Sequence, residues 1–400
     1  MTQPEAQTAR DPARIVALCF LIAIPEGFDL QAIGVAAPKL IPALGLSSAQ
    51  AGWAFSASLI GLIAGAALGG WIADRAGRKP VLIGSVAAFG LFSLLTMLAH
   101  DFSALFAARA ATGLGLGGAL PTLIAMASEI SAAKRRSITV AAMCCALPVG
   151  GAAAALFARF ALAAHGWQSI FLVGGVVPLA LAAVAARLLP ETWRARDERI
   201  DRRVLRALFG EGRFAATLLL WTGFVLTNTV VYLLLNWLPT LVVAKGLPPT
   251  SAYLASLAFN LGGVAGALGI GLLVDRFGLR RPGTAAYALL VAVMAGLGVA
   301  LANGTILALS AAAGLLVLGV QYALYAATPI YYAIGVRGTG VGAAVAVGRL
   351  GSIAGPLVGG QLLSAGAAAG QVLSVMAPVT FAAGLAILLL TVIGRPHPED

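Results

Sequence analysis

An all-α membrane protein with twelve transmembrane helices in two six-helix halves is predicted from three features of the 400 residues. Hydrophobic residues make up 60% and charged residues only 10%, where a soluble domain carries roughly 25% charged residues. Mean hydropathy is +0.95, so the apolar surface exceeds what a water-soluble core can hide. Lys and Arg fall in short clusters that alternate with apolar runs, and one charged pattern recurs about half a chain later.

A spanning helix needs about 20 apolar residues, and twelve runs meet that length. The first, 14–37, holds Glu26 and Asp29 three residues apart and therefore on one helical face. Pro25 and Gly27 beside them weaken the helix and are expected to open its backbone locally. The second and third runs, 50–73 and 80–99, flank a charged turn. The fourth, 102–127, carries Arg109 and a glycine run at 113–118. No strand precedes that run, so it reads as helix packing and not as a phosphate loop. The fifth, 137–164, contains Cys144, Cys145 and Pro148, and the sixth is 168–189. The stretch 191–213 is the longest and most charged connection. It is read as a linker between an N-terminal half (1–190) and a C-terminal half (214–400). The later runs are 214–243 with Asn228 and Tyr232, 250–274, 283–302, 305–328 with Gln321 and Tyr325, 337–363 with Arg349, and 370–393.

The net charge of +11 does not imply nucleic-acid binding, because the positive residues are dispersed between apolar runs. With the N-terminus inside, one side gathers Arg10, Arg14, Arg75, Arg78, Lys79, Lys134–Arg136, the 187–213 arginines, Arg276, Arg280, Arg281, Arg337 and Arg395. The other side receives Lys39, Arg159 and Lys245. By the positive-inside rule both termini are expected in the cytoplasm. Cys19, Cys144 and Cys145 lie in apolar runs without metal-ligand spacing and read as packed thiols. Trp53, Trp167 and Trp237 fall near the ends of spans and are expected to anchor at the interface. The first run is expected to be retained as a helix, with no removed leader.

The repeat is Gly70-Trp-Ile-Ala-Asp74-Arg75-Ala-Gly77-Arg78-Lys79 and Gly271-Leu-Leu-Val-Asp275-Arg276-Phe-Gly278-Leu-Arg280-Arg281. Internally repeated halves mark secondary transporters. The first copy resembles the signature of the major facilitator superfamily at every defined position. The second has Leu279 where a basic residue is usual. The resemblance spans almost the whole chain. It implies that Asp74, Arg75, Gly77 and Arg78, with Asp275 and Arg276, serve gating, Asp74 and Arg78 together with Glu129 and Arg136. The alternative for these charges is topology alone, and for Gly77 a tight turn.

In the first half, Glu26 where the family's motif has a first Asp, the run 82–92 and Gly115-Leu-Gly-Gly-Ala-Leu-Pro121 resemble the hydroxyphenylpropionate branch of the aromatic acid:proton symporters. Further segments resemble that family as a whole. They are Glu26-Gly-Phe-Asp29-Leu, Tyr232-Leu-Leu-Leu-Asn-Trp237-Leu-Pro239-Thr, Arg337-Gly-Thr-Gly-Val-Gly and Gly348-Arg349-Leu-Gly351. The segment Ala146-Leu-Pro148-Val-Gly150-Gly151 falls short of the drug-antiporter pattern, which disfavours a drug or metabolite:proton antiporter of the same fold. A membrane sensor is a further class, without a sizeable soluble domain to support it.

Of 15 acids, only Glu26 and Asp29 fall well inside the membrane, and of 26 basic residues only Arg109 and Arg349. A mid-membrane charge costs about 2.5–3.5 kcal/mol on insertion scales, so these residues are candidates for function. At ~1.5 Å per residue, Arg349 lies roughly 18 Å from Arg337, Arg109 about 10 Å from the far end of its helix, and Asp29 about 22 Å along the first, near the height of Arg109. Import of an organic anion with a proton needs a titratable carboxylate and a fixed cation, and guanidinium offers a planar fork matched to a carboxylate. The expected division is proton coupling by Asp29, biased by Arg109 and supported by Glu26, and substrate binding by Arg349 in a pocket shared between the halves. Asn228, Tyr232, Gln321 and Tyr325 are expected to grip the ring and its hydroxyls. Each has a structural alternative: Arg109 as a lock between helices four and one, Arg349 as an internal pair, the polar residues as interhelical bonds. The expected substrate is a small aromatic carboxylate of hydroxyphenylpropionate or hydroxybenzoate type. Protons are the coupling ion, no nucleotide, metal or covalent cofactor is implied, and a monomer in a bacterial inner membrane is expected.

Overall fold

The computed structural model describes residues 12–131, 136–191, 208–210, 212–333 and 336–394. Twelve helices among them are long and apolar enough to cross a membrane. They are α1 (Pro12–Ala43), α2 (Ser48–Ala76), α3 (Arg78–Thr96), α4 (Phe102–Ile130), α5 (Arg136–His165), α6 (Gln168–Leu188), α7 (Phe214–Ala244), α8 (Pro249–Phe277), α9 (Arg280–Val299), α10 (Asn303–Ala327), α11 (Arg337–Ser364) and α12 (Ala369–Ile393). The described residues contain no strand. The end of the bundle carrying Arg75, Arg78, Arg276, Arg280 and Arg337 is its basic end. Most of the expected linker 191–213, and Lys134 and Arg135, lie outside the described residues, as does the side chain of Arg136.

The helix starts follow local chemistry. Ser47 caps α2 and exchanges bonds with Gln50, and Asp101 caps α4 by accepting from the Ala104 N–H at 2.7 Å. Gly77 joins α2 to α3 at φ 93°, a left-handed conformation that favours glycine, and Gly278 repeats it between α8 and α9 at φ 72°. The tight turn expected at Gly77 is therefore present.

Pairings recur six helices apart. α1 lies on α5 as α7 lies on α11, α2 on α4 as α8 on α10, and α3 on α6 as α9 on α12. The two sixes meet where α1 packs on α7, α2 on α11 and α5 on α8. Away from the basic end this junction is tight. Trp237 of α7 stacks edge-on against Phe55 of α2 at 4.9 Å and donates to the Pro356 carbonyl of α11 at 2.9 Å. Ser56 donates to the Ile353 carbonyl at 2.9 Å.

This corrects the reading of the tryptophans. Trp53 is exposed, but Trp167 packs on Phe171 and Trp237 is 1% exposed. For Trp237 an internal carbonyl replaces the interface as partner of the indole N–H. Large apolar side chains such as Leu68, Phe160, Leu272 and Val299 face outward, the surface a bilayer would cover. Cys19 is buried, whereas Cys144 and Cys145 are half-buried, and all three are free.

Small residues set the helix spacing. A Cβ on Gly61 would collide with the Ala110 carbonyl, and one on Gly113 with the Ser58 carbonyl, so α2 and α4 touch backbone to backbone. Gly271 has open space around it. We therefore expect Gly113→Leu to lower the thermal unfolding temperature of the detergent-solubilised protein sharply, and Gly271→Leu to leave it near wild type. Equal effects would contradict this account of the seam.

Candidate transport site

α1 brings the two acids into the bundle as unbroken helix. The local opening expected at Pro25 and Gly27 does not occur, because α1 continues through Pro25, Pro38 and Pro42 to Ala43. Gly27 serves a different purpose. A Cβ there would collide with the backbone of Leu147 in α5, and one on Gly150 of α5 would collide with that of Ile24. The two helices cross at these glycines.

Asp29 and Arg109 form a two-pronged ion pair. Arg109 Nη2 lies 2.8 Å from Oδ2 and Nη1 lies 3.2 Å from Oδ1, and Nη2 also donates to the Asp29 carbonyl at 3.2 Å. Ser93 of α3 donates to Oδ1 at 2.8 Å. The Arg109 guanidinium lies over the Phe171 ring of α6 at 5.5 Å. Both charged side chains are 0% exposed. A buried pair is tolerated only with such geometry and added hydrogen bonds. The height match read from sequence corresponds to a real contact.

The second cation sits elsewhere. Arg349 of α11 is half-buried and donates from Nη1 to the Tyr232 hydroxyl of α7 at 3.2 Å. Tyr325 and Glu26 are within its electrostatic reach. Asn228 donates to the Gly348 carbonyl at 3.1 Å and accepts from Gln321 of α10 at 2.6 Å. Phe224 and Tyr322 flank Tyr325, with centroids at 5.1 and 6.5 Å. Arg349, Asn228, Tyr232, Gln321 and Tyr325 thus come together, as the sequence suggested. Both polar groups of the Asn228 amide are engaged within the protein.

The expected single shared pocket resolves into two adjoining centres. Asp29–Arg109 is sealed inside the first six helices, and Arg349 belongs to the last six. Glu26, 2% exposed, is the link, with both Asp29 and Arg349 in electrostatic reach. Pairing Asp29 with Arg109 turns that acid toward α3 and α4. No group of three or more His, Cys, Asp or Glu suited to a metal occurs among the described residues.

Residues 19–356 match the Major Facilitator Superfamily. The 3-(3-hydroxy-phenyl)propionate transporter of Escherichia coli (strain K12) is 46% identical over 379 residues, 94% of this chain and 93% of that protein. The 4-hydroxybenzoate transporter PcaK of Pseudomonas putida is 34% identical over 91% of this chain and 89% of its own length. The chain belongs to the major facilitator superfamily, in its aromatic acid transporter family. The crystal structure of a D-xylose-proton symporter matches this transporter's fold with a TM-score of 0.77, at 17% identity and over 96% and 98% of the two chains. The chain is a transporter and not an enzyme.

At the basic end, Arg78 pairs with Glu129 at 2.8 Å, as expected of the signature loop of this transporter. Arg75 lies over the Trp71 ring at 4.0 Å and donates to the Trp71 carbonyl. Asp74, Asp275 and Arg276 are exposed, and among the described residues neither Asp74 nor Asp275 takes part in an ion pair. Among the described residues Asp74 therefore has no ion-pair partner, and the side chain of Arg136, expected in the same cluster, lies outside them.

Sequence reasoning missed four polar participants. Glu191 accepts from the Arg78 N–H at 3.0 Å and the Lys79 N–H at 3.2 Å, capping α3. Ser93, a small polar residue in an apolar run, carried no signal of its own. Gln31 of α1 and Asn260 of α8 exchange both amide bonds, at 2.9 and 2.8 Å, across the junction of the two sixes. Gln31 could have been found as a polar residue two positions beyond Asp29, though its partner could not.

Removing one member of a buried ion pair costs about 3–5 kcal/mol. Arg109→Ala is thus expected to destabilise the detergent-solubilised transporter strongly, and adding Asp29→Asn to restore part of the loss. A double variant no more stable than Arg109→Ala would contradict the coupling.

Proposed function

We propose that this transporter is a proton-coupled symporter that imports a small aromatic carboxylate across a bacterial inner membrane, with both termini cytoplasmic. The observation that carries the reading is the half-buried Arg349, held by Tyr232 where α7, α10 and α11 converge, with Glu26 of α1 in electrostatic reach. A guanidinium there offers a planar fork for a substrate carboxylate, and Tyr325, Tyr322 and Phe224 supply aromatic walls. The named relatives handle hydroxyphenylpropionate and hydroxybenzoate, each a benzene ring bearing a carboxylate arm, which fits that chemistry.

In this mechanism Arg349 takes the substrate carboxylate. Asp29 carries the proton, Arg109 sets how readily it does so, and Glu26 supports it between the two centres. Protonation of Asp29 would remove the charge that holds Arg109. Such a change at the heart of one six-helix half is suited to bias its movement against the other. The signature-loop residues Arg75, Gly77 and Arg78, with Asp74, Asp275 and Arg276 of the two copies, form the gate at the basic end, placed toward the cytoplasm by the positive-inside rule. A monomer suffices for this cycle.

The test is uptake of a panel of labelled aromatic acids by cells expressing the transporter, with and without a protonophore. Inward accumulation that the protonophore abolishes is expected, and outward movement would overturn the reading. Arg349→Lys, which keeps the charge but loses the fork, is expected to raise the half-saturating substrate concentration at least about tenfold, roughly the loss of one charge-assisted hydrogen bond. An unchanged value would remove Arg349 from the binding role.

A further inference from the structure

Of the two carboxylates of the site, Glu26 is the one left without a full set of partners. Asp29, three residues on, has its carboxylate occupied by Ser93 and both terminal nitrogens of Arg109. Glu26 is 2% exposed, and its Oε2 is buried with no hydrogen-bond partner. Arg349 exerts its field on Glu26, yet among the described residues no ion pair joins them. A buried polar atom left without a partner loses its hydration for nothing in return. Here it lies within electrostatic reach of Arg349, the cation assigned to the substrate carboxylate, and Arg349 in turn is held by Tyr232.

We propose that Glu26 is a specificity-determining residue, taking a hydroxyl on the substrate ring while Arg349 holds the carboxylate arm. This rests on the aromatic-acid reading above. A phenolic hydroxyl both donates and accepts, so it satisfies Glu26 whether that side chain is charged or protonated. Proton coupling and ring recognition can therefore share the residue. The neighbouring amides are poorer candidates, because Asn228 spends both polar groups on Gln321 and Gly348. A bare ring would leave Oε2 unpaired, and sites built to bond a hydroxyl reject analogues that lack it.

The experiment is counterflow exchange in proteoliposomes of the full-length transporter, which needs no proton gradient. It compares 3-(3-hydroxyphenyl)propionate with 3-phenylpropionate as the external acid. Wild type is expected to favour the hydroxylated acid by about tenfold or more, the discrimination expected when a buried polar group loses its partner. Glu26→Gln, which keeps the volume and both bonding capacities, is expected to retain part of the preference, and Glu26→Leu to bring the ratio near one. Equal exchange of both acids by wild type overturns the proposal but leaves aromatic-acid transport standing. So does a Glu26→Leu variant that slows both acids alike and keeps the wild-type ratio. If Glu26→Leu fails to fold, the ratio in Glu26→Gln decides, and one identical to wild type counts against the assignment. Exchange of neither acid by wild type would overturn the parent reading and this one with it.

Discussion

The Asp29–Arg109 pair is the constraint around which the first six helices are arranged. Two opposite charges at 0% exposure in an apolar bundle survive only with good geometry and added hydrogen bonds, and here both terminal nitrogens of Arg109 are engaged while its Nε is not. That requirement draws in a hydroxyl from α3, a ring from α6 and a backbone carbonyl from α1. It also forces α1 close to its neighbours, which the glycines at its crossing with α5 permit. One polar contact thereby fixes the relative placement of α1, α3, α4 and α6.

The contacts between the two sixes are of another kind. Most are apolar or backbone contacts: the Phe55–Trp237 stack, the Trp237 and Ser56 bonds to carbonyls of α11, and α1 against α7 at Gly34, where a Cβ would lie 2.7 Å from the Asn236 Cα. The reciprocal Gln31–Asn260 amide pair is neutral. Neutral contacts can part without stranding a charge, whereas the charged pair lies wholly within the first six helices. The rocking motion proposed for transport needs that division of labour.

Much of this was readable from the sequence because membrane solvation is unforgiving. Apolar length located the twelve helices, although α1 runs six residues past its apolar run to Ala43. The scarcity of buried charge singled out Glu26, Asp29, Arg109 and Arg349, and helical rise matched Asp29 to Arg109. Elsewhere sequence reasoning failed for identifiable reasons. Trp237 sits near the end of a span, and only its neighbours α2 and α11 reveal that it is internal. Glu191 looked like one more linker charge until the fold carried it to the start of α3. Pro25 and Gly27 signalled a break because helix propensity is a local rule. In a bundle the neighbours restore what proline removes.

The account stands or falls on whether the sealed carboxylate exchanges a proton during transport. The direct measurement is lumenal pH, followed with a trapped dye in proteoliposomes given an inward gradient of a transported aromatic acid. Wild type should acidify the lumen as substrate enters, and Asp29→Asn should admit substrate with little or no acidification. Acidification by Asp29→Asn equal to wild type, per substrate moved, would contradict the account.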